Sequence, residues 1–382
     1  MTHRERVLSA LRHEQTDRVP IDFGSTRDST ILKPGYLKLR DHLGIAKDSP
    51  VKLISRFLQA VQIPEEIKKF FDADLRGVGL AAPPEGVTEI SESSFKDEWG
   101  VTRVMPPGGF YYDQVDAPLA GDITTQDILR YPWPDPDNPK RYNGLRQRTR
   151  LLRENTDYAI VLQLPAPFVH TSQYVRGFQD WFMDCAANQE LLGLLFDAIM
   201  EVNLAICEHA LKQVGDLVDI VFTSDDIGMQ YGPAVSPETY RRLFKPRHTR
   251  YFQFIHERTR AQLAFHTCGS VWALLPDLVE AGVDILNPVQ VSATNMDSAQ
   301  LKKAYGKQIS FWGAIDTQHV LPHGSPEEVR EEVERRISDL AVSGGYLLCA
   351  VHNIQPDVPP ENIVAMYQHA REVKPGQLIH SS

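Results

Sequence analysis

Short apolar runs, each closed by glycine or polar residues, recur along the whole chain, and longer amphipathic stretches separate most of them. The runs are VPIDFG (19–24), ADLRGVG (73–79), IVLQLPAP (160–167), LVDIVFTSDD (217–226), QLAFHTCG (262–269), DILNPVQ (284–290), ISFWGAID (309–316) and YLLCAVHN (346–353). Apolar runs of this length bounded by turn residues predict buried strands. Helical spacing predicts a helix over 189–213, where Leu191, Leu192, Leu195, Phe196 and Ile199 share a face, and others over 237–259, 271–281, 297–305 and 325–342. Val7, Leu8 and Leu11 predict one more at the start of the chain.

Strands that alternate with helices form a parallel sheet, and eight such units predict an α/β fold, a single (β/α)8 TIM barrel. An open, doubly wound sheet is the alternative. The rhythm breaks between the second and third strands, over 80–150. There TEISESSFKDEWGVTRVM predicts a β-hairpin and YPWPDPDNPKRYNG a proline-rich loop, an excursion over the barrel rather than a separate domain. On this reading residues 1–382 form one domain that includes the insertion 80–150.

Composition narrows the function classes. With 42% apolar residues and a formal charge of −10, the chain has a globular composition, and no Lys/Arg run exceeds two residues. Nucleic acid, which selects a basic stripe, is therefore not an expected partner. No stretch approaches the apolar length of a membrane span, and the first residues lack the apolar core of a signal peptide, so a cytoplasmic protein without a membrane partner is expected. Four scattered cysteines, Cys185, Cys207, Cys268 and Cys349, make no disulfide framework.

A barrel puts its chemistry at the C-terminal ends of its strands. The polar residues collect there: Asp22, Gln163, Asp225 and Asp226, His266 and Cys268, Gln290, Asp316, and His352 with Asn353. His266 and Cys268 stand two apart, so in an extended segment both project to one face, as two ligands of a metal would. Without a metal, His266 is a hydrogen-bonded pocket histidine and Cys268 a small buried residue. The last strand offers two candidates for a third ligand, Cys349 and His352, which face opposite ways on a regular strand. Position favours His352, because Cys349 sits among Tyr346, Leu347, Leu348 and Ala350 as a core residue would. Alternation likewise aims one of Asp225 and Asp226 into the mouth, to bind metal, orient His266 or exchange a proton, and the other toward the wall; the plainer alternative is a solvated helix cap. No G-x-G-x-x-G or Walker pattern supports nucleotide binding.

The stretches FHTCGSVWALLPDLVEAGVDILNPVQ, FWGAIDTQHVLPHGSPEEV and VHNIQPDVPPENIVAM resemble the uroporphyrinogen decarboxylase-like superfamily. So do RERVLSALRHEQTDRVPIDFG and DDIGMQYGPAVSPETYRRLFKP. The resemblance implies a single (β/α)8 barrel and one of two chemistries. The decarboxylases grip a polycarboxylated tetrapyrrole with several arginines after the first strand, where this chain has FGSTRDSTI with Arg27 alone. The zinc-dependent methyltransferases carry H-x-C, here His266 and Cys268, and a cysteine ten residues before the asparagine of P-x-E-N. Counted back from Asn362, that position is His352, and the decarboxylases also carry a histidine there, so the resemblance makes His352 either a metal ligand or a substrate contact. The methyltransferase side of the resemblance implies Zn²⁺ on His266, Cys268 and His352, with Cys349 the less favoured third ligand. Asp226 and His352 are the expected catalytic residues, and Asp22, Arg27, Gln163, Asp225, Gln290 and Asp316 are the expected substrate contacts. A corrinoid (cobalamin), free or on a corrinoid protein, would give or take the methyl group, and a thiol or methoxylated small molecule would be its counterpart. The alternatives are a decarboxylase and a non-catalytic small-molecule-binding barrel. A homodimer is the association to test for, since barrels often pair through their helices.

Overall fold

The computed structural model describes residues 1–46 and 50–376. Its centre is a parallel sheet of seven strands, each hydrogen-bonded to its neighbours in chain order. They are β1 (Leu75–Gly79), β2 (Ala159–Gln163), β3 (Ile220–Ser224), β4 (Gln262–His266), β5 (Ile285–Asn287), β6 (Ser310–Ile315) and β7 (Tyr346–Ala350). The alternation of each strand sorts its side chains into two cores. Ala159, Val161, Ile220, Phe222, Ala264, Ile285, Trp312, Leu347 and Cys349 pack together inside the curl of the sheet. Ile160, Leu162, Val221, Leu263, Phe265, Leu286, Phe311 and Leu348 face the surrounding helices. This is the two-sided burial of a parallel sheet covered by crossover helices.

The first run differs from expectation. Residues 19–24 form no ladder; Ile21 alone makes a parallel bridge, to Leu348. Even so, this segment links the two edges of the sheet. The Leu348 N–H donates to the Pro20 carbonyl and the Asp22 N–H to the Leu348 carbonyl, while the Asp74 N–H, just before β1, donates to Ile21. Pro20 has no N–H to give, and the Ile21 N–H goes to the Asp74 carboxylate at 2.7 Å, so a side chain replaces a rung of the ladder. Below it, the helix His3–Leu11 seals the strand N-termini with Val7, Ala10 and Leu11.

The segment between β1 and β2 holds more than a hairpin. Thr88–Ser91, Ser94–Lys96, Thr102–Val104 and Asp113–Asp116 form a four-stranded antiparallel sheet. Arg103 pins it in place, its guanidinium lying 4.1 Å from the centre of the Phe57 ring and 4.4 Å from that of Tyr174. Cation–π contacts of this kind tie together segments that share no backbone ladder. Among the described residues no helix is long and apolar enough to cross a membrane.

Candidate metal centre and active site

His266 is the last residue of β4 and shares the face of Ala264, so its imidazole enters the open end of the barrel. The neighbouring strand holds it. Asn287, directly opposite in the β4–β5 register, accepts a hydrogen bond from Nδ1 at 2.6 Å, and its own amide is turned toward the Trp312 carbonyl. A proton fixed on Nδ1 leaves the Nε2 lone pair facing the cavity, the usual orientation of a metal-binding histidine.

Nε2 meets the Cys268 Sγ at 3.4 Å. The chain can turn this tightly after β4 because Gly269 adopts φ +85°, where a Cβ would lie 2.6 Å from Gly228. Burial pushes the Cys268 thiol well up, and Asp226 and Asp28 push it the same way. His352 arrives from the bend after β7, its ring centre 5.5 Å from that of His266. Burial lowers its pKa and His266 adds to that, against the pull of Asp28, so the ring is held neutral with a lone pair to offer. One donor atom from each of His266, Cys268 and His352 lies within 4.8 Å of the other two.

The adjacent aspartates diverge as strand alternation requires. Asp226 faces the cavity, accepting the Cys268 N–H at 2.7 Å and lying 3.2 Å from His170 Nε2. Burial drives its carboxyl up, but His170, His266 and the Cys268 N–H outweigh burial and hold it well below the usual range. In turn, burial lowers the His170 pKa and Asp226 and Asp225 overcome that, lifting it to about 9, so His170 is an imidazolium at neutral pH. Asp225 is fully buried and turned into the wall. It accepts the N–H groups of Phe168 and His170 at the start of the helix Val169–Arg176 and lies 3.3 Å from His248 Nε2.

Arg27 and Gln163 both line the cavity, and Gln163 accepts the Arg27 N–H at 2.9 Å while the guanidinium reaches Ser224 Oγ at 2.6 Å. The loop that carries Arg27 crosses β1 where no side chain fits: a Cβ on Gly77 would lie 1.8 Å from the Ser25 carbonyl. Four expected contacts do not line this cavity. Asp225 is one. Asp22 is buried beneath it with Oδ1 on the Ser25 N–H, Gln290 accepts the Gly269 N–H to brace the turn after Cys268, and Asp316 caps the Gln318 and His319 N–H groups. Each accepts at least one backbone N–H, which fixes its carboxylate or amide away from the cavity. Cys349 lies in the inner core with its thiol toward the Ala350 carbonyl, away from the donor cluster.

Sequence reasoning missed His170, Asp28 and Asn287. Asp28 lies 4.0 Å from His352 Nε2, and burial, which would raise its carboxyl, is outweighed by Arg27, His266 and His352. The serine and threonine density of STRDST was the available signal, since Thr26 and Ser29 hydroxyls fold that loop on itself.

Arg27, Asp28, Gln163, His170, Asp226, His266 and His352 line one cavity of about 2000 Å³. The residues 112–373 match the family model described as uroporphyrinogen decarboxylase (URO-D). Over 372 residues the chain is 23% identical to a methylcobamide:CoM methyltransferase, MtaA, of Methanosarcina barkeri, covering 96% of each. It is 24% identical over 386 residues to a uroporphyrinogen decarboxylase of Alkalilimnicola ehrlichii, covering 97% of this chain and 94% of that protein. A solved methyltransferase from Methanosarcina mazei superposes with a TM-score of 0.68 at 16% identity, over 97% of this chain and 99% of that one.

Proposed function

The chain belongs to the uroporphyrinogen decarboxylase family, and from that premise we propose that it is a zinc-dependent methyltransferase acting between a corrinoid and a thiol or methoxylated small molecule. The observation that carries this reading is the convergence of two imidazoles and one thiol, His266, His352 and Cys268, on a single point of the cavity. Three protein donors of nitrogen and sulfur, with a fourth position open to the cavity, form the ligand set of a catalytic zinc. The donors fit the ion in detail: His266 Nδ1 is already satisfied by Asn287, and His352 is held neutral. Zinc bound there supplies Lewis acidity, which lowers the pKa of a thiol or polarises a methoxy oxygen.

The protein's own groups complete the site. Asp226 fixes the Cys268 backbone and keeps His170 protonated, so an imidazolium N–H stands beside the donors, able to give a proton to a departing oxygen or to steady a thiolate. A cavity of about 2000 Å³ also exceeds what a small substrate needs, which suits the entry of a macrocycle.

The two kinds of full-length relative divide over charge. A decarboxylase acting on a polycarboxylated substrate needs several free guanidinium groups. Here most of the cavity arginines serve the protein's own carboxylates: Arg76 is paired with Glu65, Arg103 with Asp97 and Arg141 with Glu98, while the exposed Arg148 donates to the Asn143 and Gly79 carbonyls. That pairing favours the methyltransferase.

Metal analysis of protein purified without chelator tests the proposal. About one zinc per chain is expected, lost in Cys268→Ser without loss of fold. Metal-free protein that binds uroporphyrinogen would overturn it.

A further inference from the structure

We propose that Lys68 forms an anion-binding subsite on the wall of this cavity, and that the small molecule bound there carries a carboxylate remote from its reacting thiol or methoxy group. The inference rests on the methyltransferase reading and adds the chemical class of the substrate. Lys68 leaves the helix Glu65–Phe70 and passes over Gly24, to whose carbonyl Nζ donates at 3.0 Å. The residue is only 7% exposed, yet it lines the cavity. An ammonium has three donors. Among the described residues it forms only this one hydrogen bond, and no carboxylate makes an ion pair with it.

Three other carboxylates of the cavity lining already have cations. Glu65 is taken by Arg76, Asp97 by Arg103 and Asp28 by Arg27. Asp22 is close enough to act on the ammonium through its charge, but it makes no ion pair with it among the described residues; its Oδ1 is taken by the Ser25 N–H. Burial pulls the Lys68 ammonium down to about 8, with Arg76 acting the same way and Asp22 and Glu65 opposing. A buried cation without a partner is costly, and a ligand carboxylate would supply both the missing charge and acceptors for the spare donors. Around it Tyr36, Val61 and Ile63 offer an apolar wall for the hydrocarbon part of such a ligand.

The loop 24–28 connects the two ends of this arrangement. Its Gly24 carbonyl holds Lys68, and its Asp28 carboxylate stands 4.0 Å from His352. A molecule lying along that loop would place its acid at Lys68 and its sulfur or oxygen at the donor cluster. One leftover buried cation suits a ligand with one acid group.

The test uses zinc-loaded full-length protein and a ladder of thiol acids, mercaptoacetate, mercaptopropionate, mercaptohexanoate and mercaptoundecanoate, each paired with the mercaptoalcohol of the same chain length. Calorimetry is expected to show at least one length at which the acid binds about tenfold or more tightly than the alcohol. Lys68→Met should erase that preference while alcohol binding and zinc content stay unchanged. Equal affinity of acid and alcohol at every length, or a preference that survives in Lys68→Met, overturns the subsite. Should Lys68→Met not fold, reductive methylation of the wild type read by mass spectrometry decides: saturating acid, but not alcohol, slows labelling of Lys68, and unslowed labelling overturns the proposal. If thiols of both kinds bind equally in a zinc-dependent way, the subsite fails and the methyltransferase reading stands. If the protein holds no zinc, that reading fails first.

Discussion

At the closed end of the barrel Asp74 accepts from Arg6, Arg18, His3 and the Ile21 N–H, whereas at the open end Asp226 accepts one backbone N–H and stands 3.2 Å from His170 and 3.9 Å from His266. Both aspartates are held below the usual carboxylate range. Their surroundings differ. Around Asp74 every lone pair is used to join the first segment, the N-terminal helix and β1. Around Asp226 the adjoining donors, His266 Nε2, Cys268 Sγ and His352, converge within 4.8 Å of one another where His266 and His352 line the cavity. Saturated polar networks hold a fold together, and a convergent set with spare capacity waits for a ligand.

The largest effect should come from breaking the closed end. Asp74→Ala leaves the guanidinium groups of Arg6 and Arg18, both largely buried, without their shared counter-charge, and should cost about 3–5 kcal/mol in urea unfolding. Burial alone would raise the Asp74 pKa, but His3, Arg18 and Arg6 lower it below the ordinary value of about 4. A lowered folded pKa means that this stabilisation is present above that value and is lost as the pH falls through the folded one. The wild type should therefore show an acid-dependent loss of stability that Asp74→Asn lacks. An unchanged acid limb in the variant would show that Asp74 does not lock the two edges of the sheet.

The contrast also explains what could be read from the chain and what could not. Seven of the expected strands are present because a buried parallel strand writes itself as an apolar run; the side of His266 followed from alternation and Gln163 from its place at a strand end, whereas alternation left open which of Asp225 and Asp226 faces the cavity. Alternation fails once the strand ends. His352 lies in a bend, so its orientation is set by contacts with Asp28 and His266 and not by its distance from Cys349. Gln290 and Asp316 also stand at strand ends, and only the path of the following backbone reveals that they cap turns. His170 stands in the first turn of the helix Val169–Arg176, after β2, and is paired with a residue after β3, a contact between segments 56 residues apart that no local pattern encodes. The helix Leu145–Asn155 was missed because its strongly charged outer face masks a thin buried stripe of Leu145 and Thr149.

A middle-sized effect should come from the group that orients the first donor. Removing the Asn287 amide frees the His266 ring to turn and leaves Nδ1 without its acceptor. Asn287→Ala should weaken zinc binding by about 10–100-fold, read by competition with a chromogenic chelator, with no matching loss of the strands around it. Unchanged affinity would mean that the ring is held by packing against Phe222 and His352 instead.

The smallest effect tests whether the two ends are energetically separate. The Thr2 hydroxyl caps the helix His3–Leu11 by accepting the Glu5 N–H at 3.2 Å, and that helix contributes Val7 and Leu11 to the seal beneath the strands. Thr2→Ala should cost about 1 kcal/mol of global stability by urea unfolding. Zinc affinity should not move, because no hydrogen-bond partner is shared between this cap and the donors at the opposite ends of the strands, and distant sites without shared partners add independently. A measurable drop in zinc affinity in Thr2→Ala would mean that the inner core, from Leu75 and Ala159 up to Phe222 and Trp312, transmits displacement along the barrel axis. The closed end would then be part of the active site's support.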